Sequence, residues 1–272
     1  MSVTSVIQSA RNLQRGELLG DREKVISNNT ITGLSINLPI MDTCRPSRLC
    51  VQTCYAARPV PIALPAAIKK QLRTLNSMRA DPQGTAGRIV GEMIGHMRRG
   101  ALFLRWNGVG DLFPEAVECM HAVAEALPTL KIWCVTRRPD MAALVRPLPN
   151  LFLHFSLDRE SLDRHARLMA LKPTARLFFS YQAAPDETRP PDDLRAIHPA
   201  VYFTDQYKTL APPAFAPVSC PLNGKGGGAA SALAGACLAC ARCWSGEALT
   251  PAPLAHYTPD EEGADDEQLS LF

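Results

Sequence analysis

The sequence predicts an α/β protein built on parallel strands, and three observations carry that prediction. Short runs rich in Leu, Ile, Val and Phe alternate with helix-like segments through the middle of the chain. Six of the runs have strand length, and several divide into an apolar face and a face that turns polar toward the C-terminal end. Alternation of strand and helix implies parallel strands joined by crossover helices. Strands are expected near 34–40, 101–107, 131–137, 151–158, 176–182 and 201–206. Helices are expected between them, among them Pro114–Leu127 and Asp140–Val145, the first opened by a proline suited to a first helical turn.

The faces separate two architectures. Residues two apart share a face. Leu151, Leu153, Phe155 and Leu157 oppose Phe152, His154, Ser156 and Asp158. Leu177, Phe179 and Tyr181 oppose Phe178, Ser180 and Gln182, and Leu102, Leu104 and Trp106 oppose Phe103, Arg105 and Asn107. An open doubly wound sheet, covered on both sides, would be apolar on both faces. A partial (βα)6 TIM-like barrel fits better, since its lumen turns polar at the rim where barrel enzymes place their chemistry. The plainer reading is that these polar residues only begin loops. The expected organisation is an N-terminal extension over 1–33, the barrel over 34–210, a cysteine-rich extension over 211–257 and an acidic tail over 258–272.

A chain of 272 residues, 46% hydrophobic, accommodates one substantial domain with an appendage. No apolar run approaches the ~18 residues of a membrane span, and the N-terminus lacks the order of an export signal. A cytoplasmic location without a membrane partner is therefore expected. The net charge of +3 hides an asymmetry: six acidic and no basic residues lie in 258–272, and the remainder carries 29 basic against 20 acidic residues, a charge of +9. That balance suits a polyanion such as nucleic acid, although solvated surface charge produces the same composition. Candidate phosphate contacts are Lys69, Lys70 and Arg73, Arg98-Arg99 and Arg137-Arg138.

Seven of the nine cysteines form two sets. Thiolates this dense in a reducing compartment bind soft metals rather than pair as disulfides. Cys44, Cys50 and Cys54 share a short Pro-containing loop after the first strand. A structural zinc takes four protein ligands, so three suggest a centre left open. A [4Fe-4S] cluster on three thiolates keeps one iron free; zinc completed by a distant His or Asp is the alternative. The second set is Cys220-Pro221 with Cys237, Cys240 and Cys243 in a CxxCxxC run. It is similar to the bacterial ferredoxin run, whose remote cysteine also precedes proline. A closed [4Fe-4S] cluster is expected there, with zinc as the alternative, serving electron relay, substrate anchoring or stapling. Cys119 and Cys134 are expected as buried small hydrophobes.

Three clustered cysteines after the first strand of such a barrel resemble the radical S-adenosylmethionine (radical SAM) architecture. More narrowly, Cys50-x3-Cys54-Tyr55-Ala56, Arg105-Trp106-Asn107-Gly108-Val109-Gly110-Asp111 and Val135-Thr136-Arg137 resemble the phage gene product 88 family. The resemblance runs from about Leu34 to Trp244. It implies a [4Fe-4S] cluster on Cys44, Cys50 and Cys54 whose free iron binds the amino and carboxylate groups of SAM. It also implies Asp111, with Asn107, Gly108 and Gly110, as the cofactor-holding turn. Arg105, Thr136, His154, Ser156, Asp158, Ser180 and Gln182 would line the pocket. The Cys-x5-Cys-x3-Cys spacing is wider than that of radical SAM enzymes, and Tyr55 follows the last cysteine instead of preceding it.

The last five residues, Gln268-Leu269-Ser270-Leu271-Phe272, follow a segment expected to be disordered. They resemble the bacterial sliding-clamp-binding motif, in which Gln contacts the pocket edge while Leu and Phe fill an apolar groove. The alternative is a tail packed back on the body. Together these readings imply an iron–sulfur, radical-SAM-like protein tethered to the DNA sliding clamp and acting on DNA, a nucleotide or a replication-associated substrate. The rival is a non-enzymatic iron–sulfur or zinc protein that binds DNA or regulates replication.

Overall fold

The computed structural model describes residues 17–29, 33–54, 56, 65–184, 186–187 and 201–203. Cys220, Cys237, Cys240, Cys243 and the Gln268–Phe272 motif lie outside the described residues, as do the expected boundaries at 210 and 257. Among the described residues no helix is long and apolar enough to cross a membrane.

Seven strands form one sheet in chain order. β1 (Ser27–Asn29) pairs antiparallel with β2 (Gly33–Asn37). Then β3 (Phe103–Val109), β4 (Lys131–Thr136), β5 (Leu151–Leu157), β6 (Leu177–Gln182) and β7 (Val201–Phe203) follow, each parallel to its predecessor. All six expected strands are thus present and mutually parallel. β1 was not anticipated, because three residues reading Ser-Asn-Asn show no apolar alternation. β2 stops short of the expected 40 because Pro39 cannot donate to a ladder and instead opens α1 (Ile40–Thr43).

The remaining helices are α2 (Arg48–Thr53), α3 (Pro65–Ala80), α4 (Pro82–Arg98), α5 (Pro114–Ala126), α6 (Pro139–Leu144) and α7 (Asp163–Ala170). α3 buries Ile68, Leu72, Leu75 and Met78 at helical spacing. α4 starts where the Asp81 carboxylate accepts from Gly84 N at 2.8 Å and Pro82 occupies the first turn. Its Ala86, Ile89 and Met93, with Val117, Met120 and Val123 of α5, pack on Leu34, Ile36, Leu104, Trp106, Ile132, Leu153, Phe155 and Tyr181. One strand face therefore meets the helices in a single core.

The chain order explains this one-sidedness. Right-handed crossovers between successive parallel strands keep the helices on one side, and without a reversal the sheet has no switch point of the doubly wound kind. Phe103, Trp133 and Phe178 are buried on the opposite face and lie outside that core. Leu102, assigned to the apolar face, precedes β3 and is 63% exposed. Cys119 and Cys134 are buried, as expected.

Polar side chains strap the N-terminal segment onto α3 and α4. Glu92 accepts from Val25 N at 2.7 Å and Ile26 N at 2.9 Å, and Arg88 donates to the carbonyls of Leu19, Gly20 and Glu23. Arg73 pairs with Glu17 and Glu23, Lys69 lies 3.6 Å from Glu17, and Lys70 donates to Ile26 O at 3.0 Å. The expected phosphate contacts on α3 are thus committed to the protein's own acceptors. Their spacing along the helix shows charge; only the fold shows the partners.

Candidate functional site

The first three cysteines sit where α1 and α2 follow β2, at the C-terminal end of the parallel strands. Cys44 closes α1, its amide donating to Ile40 O at 3.2 Å. Cys50 lies within α2 and Cys54 caps its C-terminus. Ser47 is the N-cap: its hydroxyl accepts from Cys50 N at 3.1 Å and donates to Asp158. Leu49 N donates to Glu160 Oε2 at 2.9 Å. Two residues beyond the end of β5 therefore hold the cysteine helix from below. All three thiols are free and half-buried.

The turn after β3 locks the same loop from the side. Ser35 pairs with Arg105 but Asn37 with Val109, so β3 bulges between them. Asn107 occupies the left-handed region there, at φ +57°. Gly110 has φ +84°, and a Cβ on it would lie 2.6 Å from Leu38 Cβ, 2.7 Å from Leu38 O and 2.8 Å from Thr43 Oγ1. Only glycine lets this backbone approach the cysteine loop. Thr43 completes the seam, donating to Pro39 O at 2.9 Å and accepting from Asp111 N at 3.0 Å.

Asp111 is buried, and both of its oxygens are engaged. Oδ1 accepts from Leu112 N at 2.7 Å and Thr136 Oγ1 at 2.5 Å, and Oδ2 accepts from Arg137 N at 3.2 Å. Burial outweighs these bonds and raises its pKa. Thr136 is thus a tie between the β3 turn and the end of β4, on the helix-covered face. Asp158 is the second buried carboxylate. Arg137 and Ser47 both donate to its Oδ2, while Ser161 Oγ at 2.9 Å and Glu160 N at 3.0 Å donate to Oδ1. Burial alone would raise its pKa; the Arg137 charge and the Ser47 and Ser161 bonds together lower it.

The thiols feel these groups and one another. Burial, then Asp111, Cys50 and Cys54, push the Cys44 thiol up. Cys50 is raised mainly by burial, against the opposing pull of Arg137. A cation among them would reverse that sign and favour thiolates. Among the described residues no three His, Cys, Asp or Glu side chains are gathered as a single-ion site. One tetrahedral ion with bonds of about 2.3 Å needs its sulfurs about 4 Å apart, whereas a cluster takes thiolates at separate iron corners. Three cysteine thiols are soft donors of the kind either group takes.

Other expected pocket residues sit deeper on the face away from the helices. Arg105 lies 4.8 Å over the Trp133 ring, His154 meets Trp133 edge-on at 6.0 Å and stacks on Phe178 at 5.3 Å. His154 is a buried rung of this aromatic ladder, 1% exposed. Ser156 and Ser180 are register partners, both buried, and half-buried Gln182 donates to Ala183 O at 3.4 Å. Asn107 is buried with Nδ2 3.5 Å from Val135 O, and its Oδ1 has no hydrogen-bond partner. Such an orphan acceptor beside the glycine turn suits a ligand's donor.

Ser47, Thr43 and Ser161 were missed as supports of the site. Asp158 and Ser161, three apart, have the spacing of a side-chain turn, a signal available in the sequence. Ser47 precedes α2 as an N-cap should, but its bond to Asp158 spans 111 positions and leaves no local trace.

The sequence profile of a family described as Gene product 88 matches residues 7–246. No curated protein matches the chain significantly, and no solved structure does.

Proposed function

The chain belongs to the gene product 88 family, and from that premise we propose that it is an iron–sulfur protein of radical SAM type. Its sheet would curve into a partial (βα)6 barrel, with the cysteine loop at the rim. Cys44, Cys50 and Cys54 would hold an open [4Fe-4S] cluster, and Cys220, Cys237, Cys240 and Cys243 a closed one, with zinc as the alternative at that second site. The open cluster would supply a free coordination position and an electron for SAM. One observation carries the reading: three free thiols, under one another's electrostatic influence, stand on the loop after the first parallel strand.

The chain's own residues have distinct duties in this reading. Asp158, through Ser47, fixes the helix bearing Cys50. Gly108 lets β3 lie close against Ser35 and Asn37 of β2, Gly110 lets the following turn close against that loop, and the buried Asn107 Oδ1 offers an acceptor to the bound cofactor. The Gln268–Phe272 motif would dock on the bacterial DNA sliding clamp and deliver the domain to DNA, a nucleotide or a replication-associated substrate.

A second reading is favoured by Asp111. Both of its oxygens are spent on Leu112, Thr136 and Arg137, so it is poorly placed to hold a SAM amino group. The clusters would then be staples in a DNA-binding or replication-regulating protein. Anaerobic reconstitution with SAM and a reductant separates the two. Iron and sulfide for two clusters with 5′-deoxyadenosine released supports the enzyme, and full clusters without that product supports the staple. Iron content that stays unchanged in the Cys44→Ser/Cys50→Ser/Cys54→Ser variant would overturn both. Clamp pull-down with and without Gln268–Phe272 tests the tether, and equal capture removes it.

A further inference from the structure

The geometry points to a phosphate-binding rim around the cysteine loop, formed by Arg45, Arg48 and Arg164, that takes the backbone of a nucleic-acid strand. The inference deepens the proposed function by assigning its substrate class, and it rests on that reading only for the chemistry at the thiols. Arg164 Nη1 donates to Arg45 O at 2.8 Å and Arg137 O at 3.2 Å, which brings α7 against the cysteine loop and the end of β4. Arg45 directly follows Cys44, and Arg48 opens the helix that carries Cys50. Both are exposed, and among the described residues neither guanidinium meets a carboxylate.

The acids nearby are already committed. Asp158 holds Ser47 and Arg137, Glu160 accepts from Leu49 N, Asp140 pairs with Arg138 at 2.6 Å, and Asp163 pairs with Arg167 at 2.7 Å. The contrast with α3 matters: Lys69 and Arg73 face Glu17 and Glu23, whereas Arg45 and Arg48 are exposed and half-buried Arg164 braces the loop between them from α7. Guanidiniums spread along an exposed rim suit successive phosphates of a chain better than one small phosphate in a pocket. A single strand fits best, because a base must leave its stack before a group recessed behind the rim can reach it.

The test measures affinity for a labelled single-stranded oligonucleotide over a salt series. Each backbone contact adds about 0.7 to the salt slope for a single strand. The Arg45→Gln/Arg48→Gln variant should therefore lower the slope by about 1.4 and weaken binding roughly 25-fold at 0.1 M salt. The charge-matched variant Lys131→Gln/Lys172→Gln, both exposed and at the N-terminal ends of β4 and β6, opposite the rim, should change neither. Equal losses in both variants, or no binding by the wild type, would overturn the rim. So would a rim variant that loses binding only to vesicles of anionic lipid. Iron measured on the same preparations separates the two claims: a rim effect in protein that never takes up iron keeps this inference and sinks the cluster.

Discussion

Replacing Gly110 with alanine tests whether the glycine turn and the cysteine loop are one rigid unit. Two costs add. A non-glycine residue in the left-handed region, here at φ +84°, costs about 1–2 kcal/mol. The new Cβ also falls 2.6 Å from Leu38 Cβ and 2.7 Å from Leu38 O, neither of which is the end of a flexible side chain. Overpacking of that kind costs about 1–3 kcal/mol. The sum, about 2–5 kcal/mol, corresponds to a fall in Tm of roughly 4–10 °C in a protein of this size. The strain has one outlet, displacement of Leu38 and Thr43 from Asp111, so the Cys44 thiol should react faster with a thiol reagent. Gly87→Ala is the control. It lies on α4 with nothing within 4 Å of the added Cβ, and should gain about 0.5–1 kcal/mol. Thermal melts of the two variants that agree within 1 kcal/mol, with unchanged Cys44 reactivity, would refute the reasoning.

Asp158→Asn leaves the Arg137 guanidinium, only 13% exposed, without its counter-charge. Breaking such a pair should cost about 3 kcal/mol and loosen α2, seen in chemical denaturation and in faster Cys50 modification. His121 accepts from Arg146 N at 3.0 Å, and burial, then Arg146, lower its pKa to about 4. The unfolded chain takes up that proton near pH 6.5, so stability is complete above about 6.5 and falls as pH drops toward 4. With solvent screening the loss should be about 1–2 kcal/mol, and His121→Gln should flatten the curve in that window. Glu92→Ala removes charge-assisted bonds to Val25 N and Ile26 N, each worth about 1.5–3 kcal/mol. Trypsin should then cut faster after Lys24.

The six parallel strands could be read from the sequence because burial on one face imposes a period of two on each. The split of 151–157 into Leu151, Leu153 and Phe155 against Phe152, His154 and Ser156 matches the core and the aromatic ladder. β1 escaped notice because three polar residues at a sheet edge need only backbone hydrogen bonds. The double-helix crossover of α3 and α4 was visible only as helical material. The partners of Lys69, Lys70 and Arg73 were not legible because a charge's worth depends on what faces it.

Local chemistry and periodicity were enough to display the candidates: cysteines at short spacing, a glycine-rich acidic turn, strands that alternate. These depend on neighbours a few positions away, which a linear chain displays. Tertiary structure alone decided how those residues are used. Thr136 became a partner of Asp111, Asp158 became the anchor of the cysteine helix, and Lys69 and Arg73 of α3 became internal ion pairs. Each outcome depends on residues brought together from tens to more than a hundred positions apart, where desolvation and one well-placed donor outweigh any local preference.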